Sequence, residues 1–248
     1  MGRHRQLKGD RLLYFEVEFC YDLTMVRRAR ASIGGLCYHV LNRGNGRSEV
    51  FHKDDDYAAF LKLLTQANDR VPMRLLSYCL MPNHFHLVLW PKGDGDMSRW
   101  MQWLMTAHVR RYHRHYHSSG HVWQGRYKSF PIEEDEHLLT VMRYVERNPV
   151  RAKTIPIRKA QRWPWSSIGR PPKDVDCPPL DPGPVARGDD WLRWVNEPQT
   201  EAELNALRQS ISRGRPFGAK AWQAATAAEL GLESTLRPRG RPWKNKIK

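Results

Sequence analysis

A chain of 248 residues with 40% hydrophobic content can bury one substantial core and carry a smaller appended unit. Its formal charge of +15 exceeds what solubility requires, and a cationic field of that size recruits polyanions by counterion release, so nucleic acid is the leading partner class. No apolar stretch approaches the roughly 20 residues needed to cross a bilayer, and Cys20, Cys37, Cys79 and Cys177 form no CxxC pair. Membrane proteins, zinc knuckles and disulfide frameworks are disfavoured, and a cytoplasmic, nucleoid-associated protein is expected.

Residues 1–28 lack a sustained period, and Met25, followed by Val26-Arg27-Arg28-Ala29-Arg30, is a second candidate for the start of translation. The alternation in Leu36-Cys37-Tyr38-His39-Val40-Leu41 predicts a strand, with Asn42 to Gly46 as a turn. Tyr57, Phe60, Leu61 and Leu64 fall at helical spacing behind three aspartates that suit a helix start. Met73 to Met81 and His84 to Trp90 read as strands, and the short Pro82-Asn83 join makes them an antiparallel hairpin. Trp100, Trp103, Leu104 and Ala107 mark a helix ending near His117, and Val122 to Ile132 reads as extended. Leu138, Val141, Met142 and Val145 then mark the apolar face of a further helix.

The order βαββαβα predicts an α+β fold: a ferredoxin-like split βαβ core with a four-stranded antiparallel sheet and helices on one face. Residues 29–168 form this core domain and 1–28 precede it. A proline-punctuated stretch, 169–198, reads as a linker, and 199–248 as a helical module with a basic tail. Within that module Thr200 and Glu203 form a capping box, and a second helix is expected from Ala219 to Leu230.

On a strand, alternate residues share a face, so His84 and His86 point one way while Phe85 and Leu87 point into a core. Such a pair fits either a metal clip or two satisfied imidazoles. Tyr144 and Asn148, four apart on a helix that Pro149 stops, share a face. That face lies away from the Leu138–Val145 stripe, which argues against core burial of Tyr144. Two imidazoles and an amide oxygen would hold a divalent ion with open positions, beside a phenol whose pKa near ~10 makes it a weak nucleophile without help.

Residues 97–128 hold Arg99, Arg110, Arg111, Arg114, Arg126, Lys128, five histidines and several aromatics, and no acid. Interleaved aromatics and arginines are what single-strand binders use to track phosphates and stack bases. Tyr112 and Tyr116, four apart without a neighbouring amide, suit stacking better than attack. Pro238-Arg239-Gly240-Arg241-Pro242 matches the core of an AT-hook, whose arginines lie in a narrow minor groove, and Arg213-Gly214-Arg215-Pro216 is a shorter echo. The six bases from Arg237 to Lys248, with no acid, suit phosphate binding whether or not sequence is read.

In order and spacing, Tyr38-His39-Val40 with Arg43-Gly44-Asn45, Met81-Pro82-Asn83-His84-Phe85-His86, Trp123 to Lys128 and Tyr144 to Ala152 resemble the REP-associated tyrosine transposases. These are relatives of the single-tyrosine HUH transposases of insertion sequences. The resemblance implies a nuclease core in which His84, His86 and Asn148 hold Mg²⁺ or Mn²⁺, with Asn148 standing where related transposases carry Gln. It implies that Tyr144 attacks a phosphate of single-stranded DNA to leave a 5′-phosphotyrosine and a free 3′-hydroxyl, and that the substrates are REP palindromes folded as hairpins. Arg43, Arg110, Arg111, Arg114, Arg126, Lys128, Arg213, Arg215, Arg239 and Arg241 are the expected DNA contacts. A monomer and a homodimer both stay open. So do two rival functions, a catalytically silent palindrome-binding protein and a metal hydrolase in which water attacks.

Overall fold

The computed structural model describes residues 32–152 and 156–237. Strands β1 (Cys37–Arg43), β2 (Met73–Met81), β3 (His84–Pro91) and β4 (Lys128–Ile132) form one antiparallel sheet in the order β2-β3-β1-β4. Helix α1 (Asp54–Arg70) joins β1 to β2, α2 (Asp96–Tyr116) joins β3 to β4, and α3 (Glu136–Glu146) follows β4. The expected element order and the ferredoxin-like α+β class are borne out.

Local chemistry sets the boundaries. Asp56, in the first turn of α1, accepts the backbone N–H of His52 at 2.9 Å and of Lys53 at 3.3 Å, satisfying donors that a helix start leaves unpaired. Gly95, at φ 77°, precedes α2 in a left-handed conformation that glycine adopts without strain. Asp135 caps α3 by accepting the His137 N–H at 2.8 Å. Regular strand begins only at Lys128; of the segment expected to be extended before it, Trp123 makes a bridge to Gly44.

Both faces of the sheet are covered. Val40, Phe85, Leu87 and Leu89 point toward α1 and α2, where Phe60, Leu61, Leu64, Trp100 and Leu104 complete an apolar core. Cys37, Cys79, Val88, Phe130 and Ile132 point the other way, against Leu138, Val141, Met142 and Val145 of α3. Helices on one face was therefore too simple: apolar residues on both faces need cover on both, and α3 supplies the second layer.

Past α3, Asn148–Arg151 forms a short helix, α4, with Pro149 in its first turn. Proline opens a helical turn here rather than stopping one, because its missing N–H is not needed at that position. The chain from Trp165 into the proline-punctuated stretch lies along the outer edge of β2. Leu80 N–H donates to Trp165 O, Ser167 N–H to Tyr78 O and Asp181 N–H to Leu75 O, each at 2.9 Å. On the opposite edge Phe217 N–H donates to Pro131 O, also at 2.9 Å. Both edges of the sheet are thus partly paired by later chain, which blunts edge-to-edge association.

The remaining helices are α5 (Trp191–Asn196), α6 (Glu201–Arg213), α7 (Lys220–Glu229) and α8 (Glu233–Leu236). The Thr200–Glu203 capping box forms as expected, and Trp191, Val195, Leu207 and Phe217 join the core under α3. The AT-hook-like residues Arg239 and Arg241 lie outside the described residues, as do residues 1–28. No helix among the described residues is long and apolar enough to cross a membrane.

Candidate active site

The register of the sheet places the histidines. Arg43 pairs with His84 and Leu41 with His86, so His84 and His86 stand on the α3 side while Phe85 and Leu87 enter the opposite core. The two imidazole centroids are 5.0 Å apart. Tyr144 comes down from α3 with its ring centroid 5.8 Å from that of His86, nearly perpendicular to it, and the Asn148 side chain is hydrogen-bonded to His84. The structure therefore brings His84, His86, Tyr144 and Asn148 together.

Tyr144 is only 8% exposed, contrary to the expectation of a non-core face. The face that carries Tyr144 is covered after all: its ring meets His39 and His86 of the sheet, and the Arg151 guanidinium lies over it. Arg143, next to Tyr144, donates to the carbonyls of Trp194 (2.9 Å), Glu197 (2.9 Å) and Pro198 (3.1 Å). Arg147 donates to Val195 O at 3.0 Å and to Asn196 O. Glu146, fully buried, accepts from Ser77, Ser167 and Trp191, tying the tyrosine helix to β2 and α5.

Two further residues enter the site that residue-by-residue reading assigned no role. His39 is fully buried on β1, and its Nε2 lies 2.8 Å from Nδ1 of His86, with the rings stacked at 5.0 Å. Its sequence signal was a lone imidazole inside an apolar alternating strand. Arg151, on α4, places its guanidinium carbon 3.8 Å from the centroid of the Tyr144 ring.

Both candidate ligands are held through the same nitrogen. Nδ1 of His86 is taken by His39, and Nδ1 of His84 lies 2.6 Å from Asn83 Oδ1, whose amide nitrogen donates to Arg47 O. Each ring thereby presents Nε2 on its other side, the arrangement in which a hydrogen bond to one nitrogen orients the other for ligation. Burial, with the Arg43 and Arg151 charges, pushes the His84 pKa down to about 4 despite the opposing Asn148 hydrogen bond. Burial, with smaller contributions from His39, His84, Arg151 and Arg43, holds His86 well below the usual imidazole value, and burial with Arg151 brings His39 to about 3. At neutral pH all three are uncharged, as ligands must be.

The expected DNA contacts divide. Arg43, Arg126 and Lys128 are exposed, and the register puts Arg43 beside His84 and Lys128 opposite Leu41 on the histidine side of the sheet. Arg110 and Arg114 are exposed on α2, in the other layer, and Arg111 is 3.9 Å from Asp56. Arg213 donates to Ser234 O, and Arg215 is bound to Gln223 at 2.8 and 2.6 Å, so both are engaged within the C-terminal helices. Of the other tyrosines in the basic region, Tyr116 donates to Asp56 at 2.5 Å and Tyr112 is 3.0 Å from His52 Nε2, away from the histidine pair. Glu133, Asp135 and His137 also cluster with metal-ligand spacing, but Asp135 caps α3 and Glu133 accepts the Ala219 N–H at 2.6 Å.

Residues 32–148 match the family model described as Transposase IS200 like. This stretch, a little under half of the chain, is similar to the IS200-like transposases. The matched stretch runs from just before β1 to Asn148, so it contains the histidine pair, Tyr144 and Asn148. The chain is 26% identical over 122 residues to a Haemophilus influenzae (strain Rd) protein provisionally named a REP-associated tyrosine transposase, across 45% of this chain and 68% of the relative. A solved REP-associated tyrosine transposase bound to a REP hairpin is similar at TM-score 0.46 and 20% identity, covering 58% of this chain and 82% of that one. A solved Deinococcus radiodurans R1 protein, provisionally named a transposase, is similar at TM-score 0.36 and 19% identity, covering 48% and 95%. The resemblance seen in the motifs is borne out by the family match and the curated relative.

Proposed function

We propose that this chain is a transposase that nicks single-stranded DNA at REP-type palindromic hairpins and transfers the strand through a 5′-phosphotyrosine on Tyr144. The observation that carries the reading is the meeting of Tyr144 with His84, His86 and Asn148 on one face of the sheet. The hairpin substrate is supported by the motif resemblance and by the name of the curated relative.

Two neutral imidazoles and a side-chain amide fit a divalent ion, with His84, His86 and Asn148 as its holders. The nitrogen-rich set suits Mn²⁺ better than Mg²⁺, which prefers oxygen donors. When bound there, such an ion supplies Lewis-acid stabilisation of phosphate charge.

The chain's own residues account for the rest. Packing of Tyr144 between Arg151 and the histidines holds the phenol for in-line attack, removing orientational freedom that free tyrosine would have to lose. A bond forms between Tyr144 Oη and phosphorus as the bond from phosphorus to O3′ breaks. The phenolic proton passes to solvent and the departing O3′ takes one up, so the step consumes no net proton. The phosphodiester is exchanged for a phosphotyrosine, so the reverse attack by a 3′-hydroxyl rejoins DNA without an external energy source.

Incubation of the full chain with labelled REP hairpin and Mn²⁺, resolved on a denaturing gel, is expected to show a covalent adduct that maps to Tyr144. Tyr144→Phe is expected to abolish it. A hairpin that binds without any adduct would leave the silent palindrome binder, and cleavage without an adduct would leave the water-attacking hydrolase.

A further inference from the structure

Arg151 is the one cation in contact with the Tyr144 ring, among the described residues, and the proposed reaction has not yet used it. In an unbroken helix, residues seven apart are separated by about 10.5 Å of rise. Here α3 ends at Glu146 and α4 begins at Asn148, and this break lets Arg151 fold back over the tyrosine. Its guanidinium carbon sits 3.8 Å from the ring centroid, and one Nη donates to the Tyr144 carbonyl at 3.5 Å.

The charge is poorly compensated. None of the ion pairs among the described residues involves Arg151. Its electrostatic neighbours are Tyr144, Cys79, Arg147, Arg208 and the three site histidines. A guanidinium stays protonated even when half-buried, so the pocket holds a permanent positive charge beside neutral imidazoles. A site of that kind is completed by an anion.

The geometry also divides the guanidinium's capacities. Its central carbon lies over the phenol, a cation–π arrangement, and one Nη is spent on the Tyr144 carbonyl, which leaves further N–H donors along the guanidinium's edge. A phosphate presented to Tyr144 Oη would arrive at that edge. Resting on the reading of Tyr144 as nucleophile, we propose that Arg151 is a second catalytic residue. Its face holds the Tyr144 ring against the histidines, and its edge N–H groups bind a non-bridging oxygen of the scissile phosphate as charge builds there.

The test is single-turnover adduct formation by the full chain on two hairpins, one with an ordinary scissile phosphate and one with a methylphosphonate there, which lacks the charged oxygen. On the phosphodiester, Arg151→Ala is expected to slow adduct formation about 10²- to 10³-fold, the scale of losing one preorganised donor, with hairpin affinity nearly unchanged. Arg151→Lys is expected to recover part of the rate, since it keeps the charge but not the planar fork. On the methylphosphonate, the gap between wild type and Arg151→Ala is expected to shrink to a few-fold. A penalty equally large on both substrates, or no penalty, overturns the clamp. If Arg151→Ala does not fold, the same two-substrate comparison with Arg151→Lys decides. The two readings fail differently: no adduct from wild type sinks Tyr144 as nucleophile, whereas a wild-type adduct indifferent to Arg151 sinks this proposal alone.

Discussion

The two faces of the sheet are built from the same strands and do different work. Toward α1 and α2, Phe85, Leu87, Phe60 and Trp100 make an apolar layer in which the polar intruder is His108, enclosed by Phe51, Phe60 and Trp123. Toward α3, the alternate positions carry His39, His84 and His86, and the covering helix brings Tyr144, Glu146 and Arg143. A period-two strand lets one residue anchor the fold while its neighbour faces the proposed site, so on that reading stability and reactivity are separated by a single step along the chain.

The largest test of that separation uses adjacent residues. Phe85→Ala removes a fully buried ring and is expected to cost about 3–5 kcal/mol of stability in urea denaturation, with adduct formation still measurable in the folded fraction. His84→Ala, half-buried and one residue away, is expected to leave stability within about 1 kcal/mol and to remove metal-supported adduct formation. If Phe85→Ala kills the chemistry of a still-folded protein, the faces are not separable.

A smaller effect is expected from the residue behind the proposed ligand. His39 touches no solvent and reaches the proposed site through His86, so the role proposed for it is positioning. His39→Gln should weaken Mn²⁺ binding about 10- to 100-fold, the usual cost of losing a partner that orients a ligand, with the hairpin-binding constant unchanged. Titration of the metal, read by protein fluorescence, separates this from a general loss of structure, which would move both.

How much of this was legible in the sequence follows from what each signal encodes. Alternation from His84 to Leu89 and the three-to-four spacing of Tyr57, Phe60, Leu61 and Leu64 encode which side of an element is buried, so the βαββαβα order and the facing of His84 and His86 could be read directly. Spacing does not encode what arrives later to cover an element. Tyr144 is buried because the sheet histidines and Arg151 enclose its ring, and the stretch around Trp165 and Asp181 lies on β2 through backbone hydrogen bonds that carry no side-chain signature. His39 looked like any strand residue until β3 came beside it, and Arg151 acquires a role only from the break between α3 and α4.

The apolar face offers a pH test. Burial, with the Arg111 charge and against that of Asp56, pushes the His108 pKa from 6.5 down to about 3. The folded protein therefore refuses a proton that the unfolded chain accepts. His108 contributes stability that is fully present above about pH 6.5 and is lost as the pH falls toward about 3. The slope of that loss is about 1.4 kcal/mol per pH unit. His108→Phe should flatten the fall by up to that amount, seen as a smaller difference between urea midpoints at pH 7 and pH 5. An unchanged slope would place the acid sensitivity with the histidines of the other face.

The smallest expected effect sharpens the other side of the comparison. Arg43, Arg126 and Lys128 are exposed, with Arg43 and Lys128 on the histidine side of the sheet, while Arg215 is engaged with Gln223 in the C-terminal helices. If DNA runs along the α3 face past the histidines, Lys128→Ala should lower the salt-dependence slope of hairpin binding by about one and weaken affinity similarly for matched and scrambled hairpins, as a phosphate contact does. Arg215→Ala should leave that slope alone, because its guanidinium already has partners within the chain. A slope that responds to Arg215 and not to Lys128 would move the DNA path off the face that holds Tyr144, and the separation of anchoring and chemistry across the sheet would then no longer describe how substrate reaches the site.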